Sequence, residues 1–344
     1  MTLSIEPRVS AETAARLRQM LSGVRVAQAI SVAARMRIPD ALATGARSSD
    51  DVASELHADP PTLYRLLRML AAAGILTEGG DRQFALTELG NALRADVEGS
   101  VREQAILFLR PEVLEAWGNL EHSIRTGENA FAALHREDVW AWRARDPEAQ
   151  SQFNRAMAVM SGPLGPALAE AIEVSPGDVV ADIGGGNGTL LAAVLARHAD
   201  IRGIVFDQPS VVAEAAPVLE AAGVADRAQL VGGSFFDEVP AAAVYLMKSI
   251  LHDWGDADSV AILQTIRASA RAGSRLLVVE RIIGEPNEDL EGKVSDLHML
   301  VMPGGQERTL EEWRALHAAG GWALGDTRPL TAGFKLIEST PSEG

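Results

Sequence analysis

Three ionisable side chains in the second half of the chain have the types and the order that proton transfer requires. His252 follows an apolar run that ends at Lys248, Glu280 ends the next apolar run, and Glu307 lies in a polar segment further on. In an open α/β sheet, groups beyond the carboxyl ends of the strands meet in one crevice. Both carboxylates could orient the imidazole and raise its basicity, which would make His252 a general base. A purely structural histidine is the alternative interpretation.

A glycine-rich turn is the second feature with chemical meaning. Residues 179–189 read as a buried strand that contains Asp182, a turn with glycine at alternate positions from Gly184 through Gly186, and the start of a helix. Glycine lets a ligand approach the backbone because no Cβ intervenes. The spacing differs from the dinucleotide fingerprint G-x-G-x-x-G, and Asp182 would repel a pyrophosphate yet could hold an ammonium group. A tight turn or another nucleotide site stays open.

Two further segments could complete a nucleoside site. Asp207 ends the next apolar run, where a carboxylate can accept hydrogen bonds from both hydroxyls of a ribose. Gly233, Ser234 and Phe235 follow the third run, and glycine beside aromatic residues suits an adenine. A solvated aspartate at a strand end is the alternative for Asp207.

Alternating strand and helix patterns position these residues. The predicted strands are residues 179–182, 203–206, 228–231, 243–247 and 275–280, with a final pair near Trp322 and Phe334. Helical patterns fill the intervals, so the sequence predicts an α/β fold with a doubly wound, mostly parallel, Rossmann-like sheet. Residues 340–344 are predicted to be frayed.

The first hundred residues predict a winged helix. The pattern consists of helices at residues 22–36, 52–56 and 62–73, followed by a hairpin of residues 75–77 and 84–86. One interpretation is DNA binding through residues 62–70, but that segment offers only Arg65 and Arg68 as basic groups. The favoured interpretation is association of two copies through the apolar surface of residues 24–34.

Composition and the middle region set the domain organisation and exclude several classes of protein. We predict domains at residues 1–100, 101–171 and 172–344; the middle one holds six of the sixteen aromatic residues and could be core or a substrate lid. A net charge of −16 argues against nucleic-acid binding. The chain has no cysteine, no signal-peptide pattern in residues 1–18, and no apolar run of the roughly 18–20 residues that span a bilayer. A cytoplasmic location is expected.

Together these segments resemble the S-adenosylmethionine (SAM) dependent small-molecule O-methyltransferases related to plant caffeate O-methyltransferases, in particular their bacterial antibiotic-pathway branch. The matching pieces are residues 182–188, Asp207, Lys248, residues 252–254, Glu280, residues 304–309, residues 123–128 and residues 153–157. The resemblance covers nearly the whole chain, and the winged helix is similar to the dimerisation domain of that family. It implies SAM as cofactor, a homodimer, a small aromatic acceptor and no metal.

The resemblance also implies residue roles. His252 would be the general base, positioned by Glu280 and Glu307. The residues implied in cofactor binding are Asp182, Gly184, Gly186, Asp207, Gly233, Ser234, Phe235 and Lys248. The residues implied in the acceptor pocket are Phe153, Met157, Leu297, His298 and Met302.

Ser234 departs from the pattern of the family, which usually has aspartate there. A serine still forms hydrogen bonds, but one charge-assisted contact to the adenosine is lost, worth about 1–2 kcal/mol. The affinity for SAM is therefore reduced, or a neighbour substitutes.

The chemistry of the base favours a phenolic or enolic acceptor. A phenol has a pKa near 10 and an unperturbed histidine near 6.5, so proton transfer is uphill by about 3.5 pKa units, or ~5 kcal/mol. An aliphatic alcohol would be far harder to deprotonate. Three alternatives stay open. They are a SAM-binding relative with a hydroxylating, decarboxylating or pericyclic reaction, a winged-helix regulator, and a metal-dependent methyltransferase that uses Asp253, Asp256 and Asp258.

Overall fold

The computed structural model describes residues 9–342, which form two compact units that meet in sequence at Arg110 and Pro111. In the first unit the helices are α1 (Ala11–Arg35), α2 (Ile38–Ala41), α3 (Ser49–Glu55), α4 (Pro60–Ala72), α5 (Glu88–Asn91) and α6 (Arg102–Leu107). Its strands are β1 (Arg47–Ser48), β2 (Leu76–Glu78) and β3 (Gln83–Leu86), paired antiparallel in the order β1-β3-β2.

This first unit has the predicted winged-helix arrangement, with α3 and α4 followed by the β2–β3 hairpin. The main difference lies in α1, which begins at Ala11 rather than near residue 22. Ser10 caps the helix by accepting a hydrogen bond from the backbone N–H of Thr13. The early turns were missed because they are mostly exposed and have no buried stripe to give a periodic pattern.

Part of the apolar surface predicted for self-association belongs to the unit's own core. Ala33 is buried in one core cluster with Leu67 and Leu70 of α4, and Ala34 is fully buried as well. The exposed apolar side chains of α1 lie further toward its N-terminus, at Leu17, Met20, Leu21 and Val24. Their spacing places them along one stripe of the helix.

The second unit begins with a group of helices and continues as an α/β sheet. The first helices are α7 (Pro111–Gly118), α8 (Leu120–Thr126), α9 (Ala130–His135), α10 (Val139–Arg145), α11 (Pro147–Ser161) and α12 (Leu164–Ala171). The strands are β4 (Val179–Ile183), β5 (Arg202–Asp207), β6 (Ala228–Gly232), β7 (Val244–Lys248), β8 (Arg275–Glu280), β9 (Trp322–Pro329) and β10 (Lys335–Pro341). The remaining helices are α13 (Thr189–Arg197), α14 (Pro209–Val212), α15 (Ala215–Ala221), α16 (Asp256–Ser269), α17 (Leu290–Val301) and α18 (Leu310–Ala319).

The seven strands form one sheet in the order β6-β5-β4-β7-β8-β10-β9. Strands β4 to β8 are parallel to one another, and β10 and β9 add an antiparallel edge. The predicted fold class and all seven strands are therefore confirmed, with strand ends shifted by a few residues. Chain order reverses between β4 and β7, and the crevice beyond the strand ends at such a point is where open α/β sheets bind ligands.

Both faces of this sheet are covered. Val180 and Leu246 point to one face, where Leu191 of α13 packs, and Ala181 and Tyr245 point to the other. Because successive residues of a strand alternate in direction, two buried faces require continuous apolar runs. That requirement explains why these strands could be predicted from the sequence.

The predicted frayed tail is wrong for the residues that the structure describes. Thr340 pairs with Ala323 and Pro341 pairs with Trp322 inside the sheet. Residues 343–344 lie outside the described residues, as do residues 1–8 of the segment used to predict the absence of a signal peptide. The three-domain division stays a prediction.

Candidate functional site

The turn after β4 depends on glycine at two positions. Gly184 and Gly186 have φ values of +72° and +57°, a region that favours glycine. A Cβ on Gly184 would collide with the side chain of Ile250, whereas nothing lies near the corresponding position on Gly186. The backbone N–H of Gly186 donates to Oδ2 of Asp207 at 2.8 Å. One carboxylate at the end of β5 therefore fixes the shape of the turn.

Asp182 is the unusual group beneath this turn. Its side chain is 2% exposed, and Oδ2 has no hydrogen-bond partner. Burial, with the nearby charge of Asp207, raises the pKa of Asp182 to about 7, although Lys248 partly offsets the effect. A buried carboxylate oxygen without a donor suits a ligand that brings an ammonium group.

A cavity of about 570 Å³ lies beside the turn, within the ~300–1,000 Å³ range of small-molecule sites. Its sheet side includes Asp182, Gly184, Gly186, Asp207, Gly233, Ser234, Phe235 and Lys248, which are the eight residues predicted for the cofactor. The structure thus brings all of them together around one space.

Three aromatic residues form a cluster in the wall of the cavity. The rings of Phe235 and Phe236 lie 6.0 Å and 4.9 Å from that of Trp254, with nearly perpendicular planes. Ser234 is held in the turn between β6 and this group, where its Oγ accepts from the backbone N–H of Phe236 at 3.2 Å. The aromatic surface suits the flat face of a nucleobase. One lone pair of the Ser234 hydroxyl already accepts a hydrogen bond within its own turn.

Lys248 ends β7 at the cavity and is 9% exposed. Burial lowers its pKa, against the opposing attraction of Glu280 and Asp253. Its Nζ lies 5.2 Å from the ring centre of Phe334. This buried cation balances part of the negative charge of the neighbouring carboxylates.

His252 lies in a short 3₁₀ turn, Leu251–Asp253, just beyond the end of β7. Its Nδ1 is 3.0 Å from Oε1 of Glu307 and 3.5 Å from Oε2 of Glu280. An ionised carboxylate only accepts, so Nδ1 carries a proton and the lone pair of the neutral ring is at Nε2. His252 itself is not among the cavity-lining residues, but Asp253 and Trp254, which follow it, are.

Glu280 has a structural task besides its charge. Its Oε1 accepts from the backbone N–H groups of Ile250 and Leu251 at 3.0 Å and 3.1 Å, and from that of His252 at 3.4 Å. The carboxylate therefore caps the 3₁₀ turn that presents the imidazole. Oε2 has no hydrogen-bond partner and faces Nδ1 of His252.

The charges of His252 and of its neighbouring carboxylates influence one another strongly. Burial disfavours the imidazolium, but the carboxylates of Glu280, Asp253 and Glu307 outweigh it and raise the pKa of His252 to about 10. Burial raises the pKa of Glu280 to about 7 and that of Asp253 to about 6. The pKa of Glu307 is lowered despite burial, because His252 and Ser295 donate to it. The sequence argument used the unperturbed value for His252, and the buried carboxylates change it.

Two positioning residues escaped the sequence analysis. Ser295 of α17 donates to Oε1 of Glu307 at 2.7 Å. Arg308 is fully buried, and its guanidinium donates to the backbone oxygens of Leu251 and Trp254, on either side of His252. A lone serine inside a helical pattern and an arginine inside a polar segment carry no periodic signal that could have revealed either one.

The residues predicted for the acceptor pocket divide into two sets. Phe153 and Met157 of α11 line the cavity. Met302 packs in a core cluster with Phe131, and Nδ1 of His298 accepts from Nε1 of Trp117 at 3.1 Å. Leu297, His298 and Met302 are not among the cavity-lining residues, whereas Pro303 is.

Comparison with known proteins decides the family. Residues 117–323 match the O-methyltransferase domain, and residues 18–96 match the O-methyltransferase dimerisation domain. The chain belongs to the O-methyltransferase family. The predictions of the family, of the enzyme class and of SAM as cofactor are confirmed, and the non-methylating alternative is not favoured.

Individual proteins that are similar to this chain support the same family assignment. The O-methyltransferase chain is 40% identical to the phenazine O-methyltransferase PhzM of Lysobacter antibioticus over 94% of its length and 95% of that protein. It superposes on the crystal structure of LaPhzM with a TM-score of 0.91 at 40% identity, covering 95% and 99% of the two chains. The neocarzinostatin-pathway O-methyltransferase NcsB1, solved with SAM and 2-hydroxy-5-methyl naphthoic acid, gives a TM-score of 0.80 at 34% identity, covering 92% and 95%.

Two further predictions receive coarser answers for this O-methyltransferase. A dimerisation domain is present in the first hundred residues. Across residues 9–342, every helix is too short or too polar to cross a bilayer.

Proposed function

We propose that this O-methyltransferase moves the methyl group of SAM to a phenolic or enolic hydroxyl of a small aromatic molecule in bacterial secondary metabolism, with His252 as the general base. The observation that carries the proposal is the imidazole fixed at Nδ1 by Glu307 and placed beside the cavity that holds Asp182 and the glycine turn. That arrangement leaves Nε2 for a proton from the acceptor.

The residues around the glycine turn fit the parts of SAM. The partnerless oxygen of Asp182 would accept from the ammonium group, and the backbone at Gly184 and Gly186 would lie along the methionine portion. Asp207 would accept from the ribose with the lone pairs that Gly186 and Gln208 leave over. Gly233, Ser234 and Phe235 would contact the adenine, with Lys248 balancing the charge. When bound, SAM supplies an electrophilic methyl group.

His252, Glu280 and Glu307 would accept and stabilise the proton that the acceptor hydroxyl loses. Nε2 of His252 would take the proton of the acceptor hydroxyl, and Glu280 and Glu307 would stabilise the imidazolium, while the methyl group would leave the sulfur of SAM to give S-adenosylhomocysteine. A pKa of His252 near 10 makes the transfer from a phenol almost even in free energy. The energetic cost is instead that of deprotonating His252, because at neutral pH only about one imidazole in a thousand is unprotonated. The residues that would hold SAM and the acceptor would supply further acceleration by orienting the two reactants.

The acceptor pocket is assigned to the helical side of the cavity. Phe153 and Met157 would pack on the aromatic ring. Leu297, His298 and Met302 remain proposed acceptor contacts, which requires that the acceptor reach beyond Pro303. The names of the relatives support an aromatic substrate, because PhzM is a phenazine O-methyltransferase and NcsB1 was solved with a naphthoic acid.

The decisive experiment measures formation of S-adenosylhomocysteine and methyl ether by wild type and by His252→Ala. We expect turnover to fall a hundredfold or more while the Kd for SAM, measured by calorimetry, stays within threefold. His57→Asn, at an exposed histidine, is the matched control and should behave as wild type. Unchanged turnover in His252→Ala would remove the general base from the proposal.

A metal-dependent reaction is the second candidate for one specific reason. Ligand atoms of His252, Glu280 and Glu307 lie within 4.8 Å of one another, close enough for a shared cation. The acidic group raised from the sequence is a poorer candidate, because Asp256 begins α16 and binds Arg308 at 2.8 Å. Full activity after dialysis against EDTA excludes this reaction, and loss that Mg²⁺ restores supports it.

A homodimer and a cytoplasmic location complete the proposal. The stripe of Leu17, Met20, Leu21 and Val24 on α1 is 56–67% exposed, and all of it except Leu17 lies in the matched dimerisation domain, which begins at residue 18. Burial of such a stripe against a second copy would remove it from water. Light scattering on the purified protein tests the dimer, cell fractionation tests the location, and a mobility-shift experiment tests the prediction that nucleic acid does not bind.

A further inference from the structure

Three residues that line the cavity each have a buried side-chain atom without a hydrogen-bond partner in the described part of the chain: Asp182 at Oδ2, Trp140 at Nε1 and Asn154 at Nδ2. Asp182 belongs to the sheet side and accepts. Trp140 and Asn154 belong to the helical side, on α10 and α11. Their chemistry is opposite to that of Asp182, because an indole Nε1 and an amide Nδ2 only donate.

The orientation of Asn154 follows from its neighbour. Its Oδ1 accepts from Nε2 of Gln150 at 2.7 Å. The acceptor end of the amide is thus already used inside α11, and the donor end is left over. Gln150 also lines the cavity, so the pair belongs to the wall itself.

The indole of Trp140 is held by its surroundings. Its ring meets that of Phe153 edge to face, with centroids 5.7 Å apart and planes at 78°. The guanidinium of Arg143 lies 3.9 Å from the Phe153 centroid and 5.2 Å from that of Trp140. A braced ring keeps its N–H in one direction and loses little freedom when a ligand binds.

We propose that Trp140 and Asn154 recognise a second oxygen on the acceptor, a ring carbonyl or a carboxylate, separate from the hydroxyl that is methylated. The inference rests on the proposed function of the same cavity and narrows its substrate class to aromatic hydroxyl compounds that also carry such an oxygen. A buried donor without a partner is costly, and a ligand oxygen removes that cost. An unsubstituted phenol leaves both donors unpaired.

The test compares three acceptors on the full-length protein. 2-Naphthol has no second oxygen, 6-acetyl-2-naphthol adds a neutral carbonyl, and 6-hydroxy-2-naphthoate adds a carboxylate. With saturating SAM, we expect KM for at least one oxygenated compound to be about tenfold below that for 2-naphthol. A preference shared by both compounds identifies a carbonyl-type oxygen, and a preference for the naphthoate alone identifies a carboxylate.

The variants Trp140→Phe and Asn154→Leu remove each donor and keep the bulk of the side chain. We expect each to raise KM for the preferred compound five- to tenfold and to change KM for 2-naphthol less than twofold. Trp142→Phe, at a tryptophan of α10 that is not among the cavity-lining residues, is the matched control and should preserve the preference.

Failure of this inference is separable from failure of the proposed function. If wild type methylates the three compounds with equal KM, or if the variants lose all three equally, the donors do not recognise an acceptor oxygen. If the variants instead weaken SAM binding in calorimetry, the donors serve the cofactor and the inference is overturned. If wild type binds no SAM, the proposed function falls first.

Discussion

Ser295 and His252 share one oxygen: Ser295 Oγ and His252 Nδ1 lie 2.7 Å and 3.0 Å from Oε1 of Glu307. The serine therefore stabilises the ionised carboxylate on which the base depends. A side chain that never reaches the cavity thus influences how tightly the imidazole holds its proton.

Replacing Ser295 by alanine should move the pH dependence of catalysis. Loss of the Ser295 donor leaves the Glu307 carboxylate a stronger partner for the imidazolium, so His252 holds its proton more tightly and the rising limb of kcat/KM shifts to higher pH by about 0.5–1 pH unit. The plateau rate should stay within twofold. Ser295→Thr keeps the hydroxyl and should restore the wild-type profile. A uniform loss of rate with an unmoved limb would show that the serine only supports packing.

Asp182→Asn should have opposite effects on stability and on SAM affinity. The pKa of Asp182 is raised to about 7, so its buried charge opposes folding at any pH above its ordinary value of 3.8. Asparagine should therefore raise the Tm of the ligand-free protein. The Kd for SAM should rise about 10- to 100-fold, because the ammonium loses a charged partner. Asp226→Asn, at an exposed site, is the control; a fall in Tm together with an unchanged Kd would contradict the assignment.

Catalysis should increase with pH well above neutrality. The pKa of His252 is raised to about 10, so the unprotonated base grows about tenfold per pH unit between pH 7 and roughly pH 9.5. We expect kcat/KM to follow that slope and to level off near pH 10. Acceptors with different phenol pKa values provide the control. A limb that moves with the acceptor's pKa would report the acceptor and not His252.

The same raised pKa has a consequence for stability. A group whose folded pKa exceeds its unfolded value near 6.5 stabilises the protein below 6.5, and that contribution is lost as pH rises toward 10. Denaturation of the ligand-free enzyme between pH 7 and 9.5 measures the decline.

His317 should make the enzyme sensitive to acid. It is fully buried, its Nδ1 is 2.7 Å from Ser339 Oγ, and burial beside the positive charge of Arg308 lowers its pKa to about 4. Between pH 6.5 and 4 the unfolded chain takes up a proton that the folded one refuses. Stability therefore falls by about 1.4 kcal/mol per pH unit from this group.

His317→Gln should make that pH slope shallower, whatever it does to stability at neutral pH. Urea denaturation from pH 7 to pH 4.5 gives the slope, and His57→Asn at an exposed position should leave it unchanged. An identical slope in His317→Gln and wild type would place the acid sensitivity elsewhere.

The fold was predictable where burial is continuous. Strands such as β8 are apolar on both faces, and turns with glycine or proline separate them. The pattern of apolar runs and turn residues was therefore enough to locate the strands in the sequence. The beginning of α1 and the end of β10 were not predictable, because exposed residues there give no pattern and pairing depends on distant segments.

The candidate site divides in the same manner. Residues at strand ends, such as Asp182, Asp207 and Glu280, could be found because the sheet brings strand ends together. Ser295 and Asn154 could not, because their importance lies in which atom lacks or provides a partner. Such information exists only once helices far apart in sequence have packed.

Arg308 ties the turn around His252 to a segment more than fifty residues later in the chain, and the backbone N–H of Gln306 reinforces the tie by donating to the oxygen of His252 at 2.9 Å. During synthesis the base, the cofactor turn and the helical wall all leave the ribosome before this segment does. A nascent chain that ends before residue 305 therefore lacks Gln306 and Arg308, and with them the contacts that hold the turn around His252 in the folded protein.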